Sequence, residues 1–263
     1  MATRAPRAAA VEGASDELEV ARDVIRRNDA WYHTLELAPG ILTPGKIDLR
    51  KVAGKLLPDS LSGMRALDVG TFDGFWAFEL EKRGAEVVAI DLDAVAAAQL
   101  PPNNRAALEE TAKQLRIELG HGFKLASAHL RSGARLVSCD VLELTSEKIG
   151  GPVDIAFMGA LLIHLRDPVR ALERIHATLV PGGRLLQLEG VSLRLSLLHP
   201  RRPVAHLQTL DTQFNWWYPN HAALKAWLRT AGFAEITNLG LYRPPQRRPM
   251  ADWYRGLGSR RPR

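Results

Sequence analysis

The chain predicts an α/β protein built on a mainly parallel sheet with helices on both faces. Two observations point there. Short apolar runs alternate with helix-like stretches through most of the 263 residues, and three successive runs end in a glycine or an acid, where open sheets of this kind meet their ligands.

The elements follow in order. Residues 66–69 are an apolar run that stops at Gly70, and residues 75–83 after the glycine turn read as a helix. Residues 87–90 form a second run, closed by Asp91. Residues 91–133 are Ala-rich, charged and mostly helical, interrupted by Pro101-Pro102 and by Gly120-His121-Gly122. Residues 135–140 predict strand three and residues 153–158 strand four. Asp167-Pro168 starts a helix, with a capping carboxylate before a first-turn proline, and Pro181-Gly182-Gly183 ends it. Residues 184–189 predict strand five, 222–231 a helix stopped by Gly232, and 234–241 the late strands. No internal repeat interrupts the pattern.

The glycine turn, Asp68-Val69-Gly70-Thr71-Phe72-Asp73-Gly74, argues for one ligand over another. A dinucleotide site needs three glycines so that a pyrophosphate can approach the helix N-terminus. Here Phe72 and Phe75 stand where the second and third would be. S-adenosylmethionine carries no phosphate, and the Asp73 carboxylate suits its ammonium group. Asp91 can accept hydrogen bonds from ribose hydroxyls. Asp140, at the end of strand three, can accept one from an adenine amino group while Val141 or Leu142 packs on the ring.

Composition bounds the rest. A chain of this length buries one sizeable core. No apolar run reaches the roughly 18 residues of a membrane span, so no membrane partner is expected. The single cysteine, Cys139, excludes an internal disulfide and suits a reducing, cytoplasmic setting. The net charge of +6 is carried by residues 242–263, which hold seven arginines and one acid, so the remainder is neutral. That Pro/Arg/Gly-rich end reads as a solvated tail and not as a nucleic-acid face. The expected organisation is therefore a disordered start (1–15), a helical or lid segment (16–60), a ligand-binding domain (61–245) and a disordered basic tail (246–263). A chain ending at Tyr242 is expected to keep its stability. The histidines lack metal-ligand spacing, and no catalytic metal is expected.

With the turn, Asp91, Asp140, Met158 to His164, Asp167-Pro168, residues 179–183 and Ala231-Gly232-Phe233 in register, the chain resembles class I S-adenosylmethionine-dependent methyltransferases over residues 61–242. The resemblance implies a Rossmann-like, mostly parallel seven-stranded sheet. It implies that Asp68, Gly70, Thr71, Phe72, Asp73, Gly74, Asp91, Leu92, Asp140, Val141, Met158 and Gly159 surround the cofactor. Phe72 departs from the family, which has a glycine there. Upstream, Trp31-Tyr32-His33, Thr43-Pro44-Gly45 and Asp48, with Asn215-Trp216-Trp217-Tyr218-Pro219-Asn220, resemble the branch that includes tRNA wobble-uridine carboxymethyltransferases. Those enzymes use a carboxylated S-adenosylmethionine. Lys46, Arg50 and Lys51 lie in the matching region without aligning to its carboxylate-binding lysine.

Three functions are carried forward: methyl transfer to oxygen or nitrogen of a small molecule, tRNA modification, and S-adenosylmethionine-fold binding without catalysis. His164, just past strand four, is the first candidate general base and His33 the second. Each has a structural alternative, as an anchor for the following helix and as a helix packed on the sheet edge. Trp76, Trp216, Trp217 and Tyr218 are candidates for an aromatic wall around a planar acceptor, with Trp31 and Tyr32 as further substrate contacts.

Overall fold

The computed structural model describes residues 6–208, 214–243, 245 and 253–262, with backbone alone for 6–15 and 253–257. In chain order these form helix α1 (Pro6–Arg26), strands β1 (Glu36–Ala38) and β2 (Ile41–Leu42), helix α2 (Arg50–Leu56), β3 (Arg65–Val69), α3 (Phe75–Glu81), β4 (Glu86–Asp91), α4 (Arg105–Gln114), α5 (His121–Leu130) and β5 (Arg135–Ser138). There follow β6 (Val153–Gly159), α6 (Pro168–Thr178), β7 (Leu179–Val191), α7 (Leu193–Leu198), β8 (Ala205–Leu207), β9 (Trp217–Pro219), α8 (His221–Thr230), β10 (Glu235–Tyr242) and β11 (Trp253–Arg260).

Seven strands make one sheet in the order β10-β11-β7-β6-β3-β4-β5. Strands β5, β4, β3, β6 and β7 run parallel, and β11 is antiparallel to both its neighbours. The order turns back at β3, whose successors go first to one side and then to the other. The carboxyl ends of β3, β4 and β6 therefore flank a crevice of the kind in which open α/β sheets bind ligands. Alternation along the strands splits the core in two. Ala66, Ala89, Ile155 and Leu188 face α3, α5 and the N-terminal segment. Leu67, Ile90, Met158 and Leu185 face the other layer, with Leu172 and Ile175 of α6 and Leu224 and Leu228 of α8. Asp167 caps α6 by accepting from the Arg170 N–H at 3.0 Å.

Two expectations about the ends are corrected. The basic tail is not a solvated end: residues 253–260 run between β7 and β10, in continuous register with β7 from Trp253 opposite Val191 to Arg260 opposite Arg184. Its two glycines and two arginines give little intrinsic strand preference, but two neighbouring strands otherwise left with open ladders supply the partners. The N-terminus is helical from Pro6, because Ala8 to Ala10 continue the helix of residues 16–26 backwards. Nor is 16–60 a detached lid. Ala21, Val24, Trp31, Leu35, Leu37, Ile47, Leu49, Val52 and Leu56 share one apolar cluster with Phe75, Phe78 and Phe123 of α3 and α5. No helix among the described residues is long and apolar enough to cross a membrane.

Candidate functional site

The turn after β3 is fixed from two sides. The N–H groups of Gly70 and Thr71 donate to the Ile90 carbonyl at 2.9 and 3.1 Å, tying the turn to the end of β4. Gly70, Phe72 and Gly74 all have positive φ, at 74°, 52° and 90°. Phe72 thus adopts the conformation that a glycine would supply, at a cost of roughly 1–2 kcal/mol. Its N–H donates to Asp91 Oδ2 at 2.7 Å, a charge-assisted bond that offsets the strain. At Gly74 a Cβ would lie 2.5 Å from the Phe78 ring, so glycine is needed for the close approach of turn and helix.

Asp91 holds the turn and the chain beyond it, since Oδ1 accepts from the Leu92 N–H at 2.7 Å. Burial raises its pKa, the Phe72 and Leu92 N–H groups pull it back, and Asp73 pushes it up. Each oxygen retains a further lone pair for a hydroxyl donor. Asp140 Oδ1 accepts from the Leu142 N–H at 2.9 Å and caps the single helical turn Val141–Glu143.

Asp73 does something other than expected. It is 1% exposed. Its Oδ2 accepts from the N–H groups of Tyr32 and His33 at 2.9 and 2.7 Å, and its Oδ1 meets His33 Nδ1 at 2.5 Å. The carboxylate clamps the N-terminal segment to the turn and is not available to a ligand ammonium. His33, buried and stacked on Phe75 at 5.3 Å, is the other half of the clamp and not a free base. Trp31 is likewise core, 2% exposed, with its Nε1–H donating to the Ile25 carbonyl at 3.1 Å, and cannot face an acceptor. Tyr32 packs edge-on to Phe72 at 5.8 Å, on the turn.

The polar capacity left at the turn belongs to Asp68 and Thr71. Both are buried; by distance and angle neither Asp68 Oδ2 nor Thr71 Oγ1 has a hydrogen-bond partner among the described residues, although the Thr71 hydroxyl lies close enough to Asp68 to act on its pKa. Burial pushes the Asp68 pKa up to about 7, with Thr71 and His33 opposing. Unmet acceptors beside a tight glycine turn fit an ammonium-bearing ligand such as S-adenosylmethionine. Gly70 adds room, since a Cβ there would press on the Leu161 side chain at 3.2 Å. Met158 fits less well: its side chain is wholly buried toward α6 and α8, so only its backbone can face the crevice. At Gly159 a Cβ would come within 3.1 Å of Trp76 Nε1, and Trp76 is itself core, stacked on Phe157 at 3.9 Å.

On the far side of the crevice Glu189 emerges, a residue that the sequence reading passed over. It lies near the carboxyl end of β7 and is fully buried. Oε2 accepts from the Leu162 N–H at 2.8 Å and Oε1 from the Gly190 N–H at 2.9 Å. Burial pushes its pKa up to about 7, with the N–H groups of Gly190, Leu162 and Leu161 pulling down. An acid closing an apolar run was the signal used for Asp91 and Asp140, and it applied equally to Leu188-Glu189. Glu189 fixes the loop after β6, where Ala160 also takes a positive φ of 49°.

That loop presents His164. Its Nδ1 lies 3.1 Å from the Phe214 carbonyl, which can only accept, so Nδ1 carries the proton and Nε2 keeps a lone pair. Burial lowers the pKa, opposed by the Phe214 carbonyl. The ring is thus held neutral, in the tautomer a base requires. The neighbouring segment is tied down too. Trp216 N–H donates to the Ile163 carbonyl at 2.6 Å, Trp216 Nε1–H to the Gln99 carbonyl, and Trp217 Nε1–H to the Arg166 carbonyl at 3.3 Å. Trp216, Trp217 and Tyr218 are all half-buried, and their strand β9 packs against the turn Leu162–His164. Among the described residues no cluster of His, Cys, Asp or Glu could hold a metal.

Sheet order, glycine turn and strand-end carboxylates together define the class I S-adenosylmethionine-dependent methyltransferase architecture. The chain belongs to the methyltransferase-domain family, whose model matches residues 47–238. It is 30% identical over 181 residues to the tRNA U34 carboxymethyltransferase of Azotobacter vinelandii, covering 67% of this chain and 47% of that protein. The chain thus spans about half the length of the curated relatives it matches at this extent. Among solved structures it resembles Burkholderia thailandensis 1,6-didemethyltoxoflavin-N1-methyltransferase, with TM-score 0.53, 19% identity, and coverage of 100% of this chain and 93% of that one. It also resembles the magnesium protoporphyrin IX methyltransferase of Synechocystis, with TM-score 0.51, 18% identity, and coverage of 81% of each chain.

Proposed function

We propose that this protein transfers a methyl group from S-adenosylmethionine to an oxygen or nitrogen of a small molecule. The observation that carries the proposal is that buried acceptors without a protein partner, in the turn after β3, and a tautomer-fixed histidine, just past β6, lie beyond the carboxyl ends of two neighbouring parallel strands. Asp68 and Thr71 would take the ammonium end of the cofactor, Asp91 the ribose hydroxyls, and Asp140 with Val141 and Leu142 the adenine. Bound S-adenosylmethionine supplies an activated methyl group on a sulfonium. What remains for the protein is to align the acceptor, exclude water and take a proton. Trp216, Trp217 and Tyr218 would hold a planar acceptor, and orientation alone supplies several kcal/mol, up to roughly 7–11 in model systems. His164 Nε2 would accept the proton from a hydroxyl or amine, a contribution of about 10²–10⁴-fold.

The similarity to tRNA carboxymethyltransferases keeps a second reading in view. One feature weighs against it. Arg50, in the region of the expected carboxylate contact, is already bound to Asp48 at 2.8 Å and to Glu36 at 3.7 Å. We place the protein in the cytoplasm on its lone free cysteine.

A mass-shift screen of phenolic, catecholic and amine acceptors with S-adenosylmethionine tests the proposal. A 14-dalton gain on a small acceptor is the expected outcome, and His164→Gln should lower kcat by about two to four decades with little change in cofactor affinity. Modification of tRNA alone, with the carboxylated cofactor, would establish the second reading. Binding of the nucleoside without turnover of any acceptor would leave a non-catalytic protein.

A further inference from the structure

Residues 190–210 contain no acid and three arginines, Arg194, Arg201 and Arg202. The same segment carries Leu197 and Leu198, 81% and 62% exposed, the two most exposed large apolar side chains among the described residues, and Leu207 at 48%. The three arginines are exposed as well.

This is a built platform and not a loose loop. Asn220, fully buried, gathers it: Nδ2 donates to the carbonyls of His199 and Arg202, both at 2.9 Å, while Oδ1 accepts from the N–H of Val204 at 3.1 Å and of Ala223 at 2.8 Å. Ser192 caps α7 by accepting from the Leu195 N–H at 3.1 Å. β8 pairs with β9, setting Leu207 opposite Trp217. A fold that spends a buried asparagine on holding this turn presents its leucines to water by construction.

We propose that this face docks on an anionic lipid surface, with Leu197, Leu198 and Leu207 entering the acyl boundary and Arg194, Arg201 and Arg202 meeting the headgroups. The charge and apolar patterns select that occupant together. A nucleic-acid backbone would satisfy the arginines and leave the leucines in water. A second copy of the chain, meeting the patch through a two-fold, would set arginines against arginines. A lipid interface uses both sets at once and needs no spanning helix. The proposal concerns contact at the surface, alongside the Trp216 to Tyr218 segment, and does not depend on the methyl acceptor.

Co-sedimentation of the full chain with vesicles tests it. The expected result is binding to mixed phosphatidylglycerol and phosphatidylcholine vesicles, preferred over phosphatidylcholine alone by roughly two decades for three surface arginines and weakened by salt. Leu197→Ser with Leu198→Ser should weaken binding about tenfold or more, and Arg201→Glu with Arg202→Glu should abolish the anionic preference, both at unchanged melting temperature. Quenching of tryptophan fluorescence by brominated acyl chains reads the same insertion in the unsubstituted protein. No vesicle binding, or no quenching, overturns the proposal. So does an arginine-dependent affinity for RNA that ignores the leucines, or a dimer that the leucine substitutions dissolve, or binding to an acidic peptide in place of vesicles.

Discussion

The two sides of the crevice are held by different means. On the β3–β4 side, local chain does most of the work: a strand, a turn with three positive φ values, and a carboxylate nineteen residues on that grips the turn from the next strand. On the β6–β7 side the restraints come from farther along the chain. Glu189 reaches back to Leu162, His164 to Phe214 and Trp216 to Gln99. On the proposed function, the first arrangement preforms the cofactor end and the second assembles the acceptor side from several loops.

The sharpest way to break this comparison is to remove the strand that closes the far side. A chain ending at Tyr242 loses β11 from between β7 and β10. It should fail to give a cooperative thermal transition, because two interior ladders open at once. Retention of the full-length melting temperature would mean that the strand is not part of the folded core. This reverses the expectation drawn from composition alone.

The next largest effect separates the clamp from the ligand. Asp73→Ala strands two buried N–H donors and the His33 ring, at a cost of about 3–5 kcal/mol. Calorimetric unfolding should register it as a fall of roughly 10 °C. Were stability unchanged and only cofactor affinity lost, Asp73 would face the ligand ammonium after all.

The smallest effect distinguishes the buried acids. Asp68 and Glu189 both have folded-state pKa values raised to about 7 from ordinary values of 3.8 and 4.5. Each therefore binds its proton more tightly when folded. The stability it contributes is full below the unfolded pKa and is lost as pH rises through about 7. Melting temperature should decline from about pH 5 to 7.5, and Glu189→Gln should flatten that decline by about half. An unchanged slope would show that Glu189 is ionised throughout.

The glycine turn and the strand-end carboxylates were legible in the sequence because their signals are local. Gly70, Gly74, Asp91 and Asp140 each sit within a few residues of the element they terminate, and strand-end chemistry is visible at that range. Phe72 was read as a departure, yet it keeps the turn by taking the left-handed conformation itself, which only coordinates reveal. Asp73, His33 and Trp31 were misassigned because their partners lie outside the turn: Asp73 and His33 are forty residues apart in sequence, and Trp31 is buried by packing against α3 and α5. β11 was invisible because its strand character comes from its neighbours and not from its own residues. Glu189 is legible too, since Leu188-Glu189 closes an apolar run with an acid just as Ile90-Asp91 does.

Calorimetric titration with S-adenosylmethionine, on the unsubstituted chain and on Asp91→Ala, tests the central claim most directly. The account predicts one site per chain, with affinity falling about 5–150-fold in a folded Asp91→Ala variant as ribose hydroxyls and the Phe72 N–H lose their acceptor. No binding to the unsubstituted chain, or equal affinity in the folded variant, would contradict it.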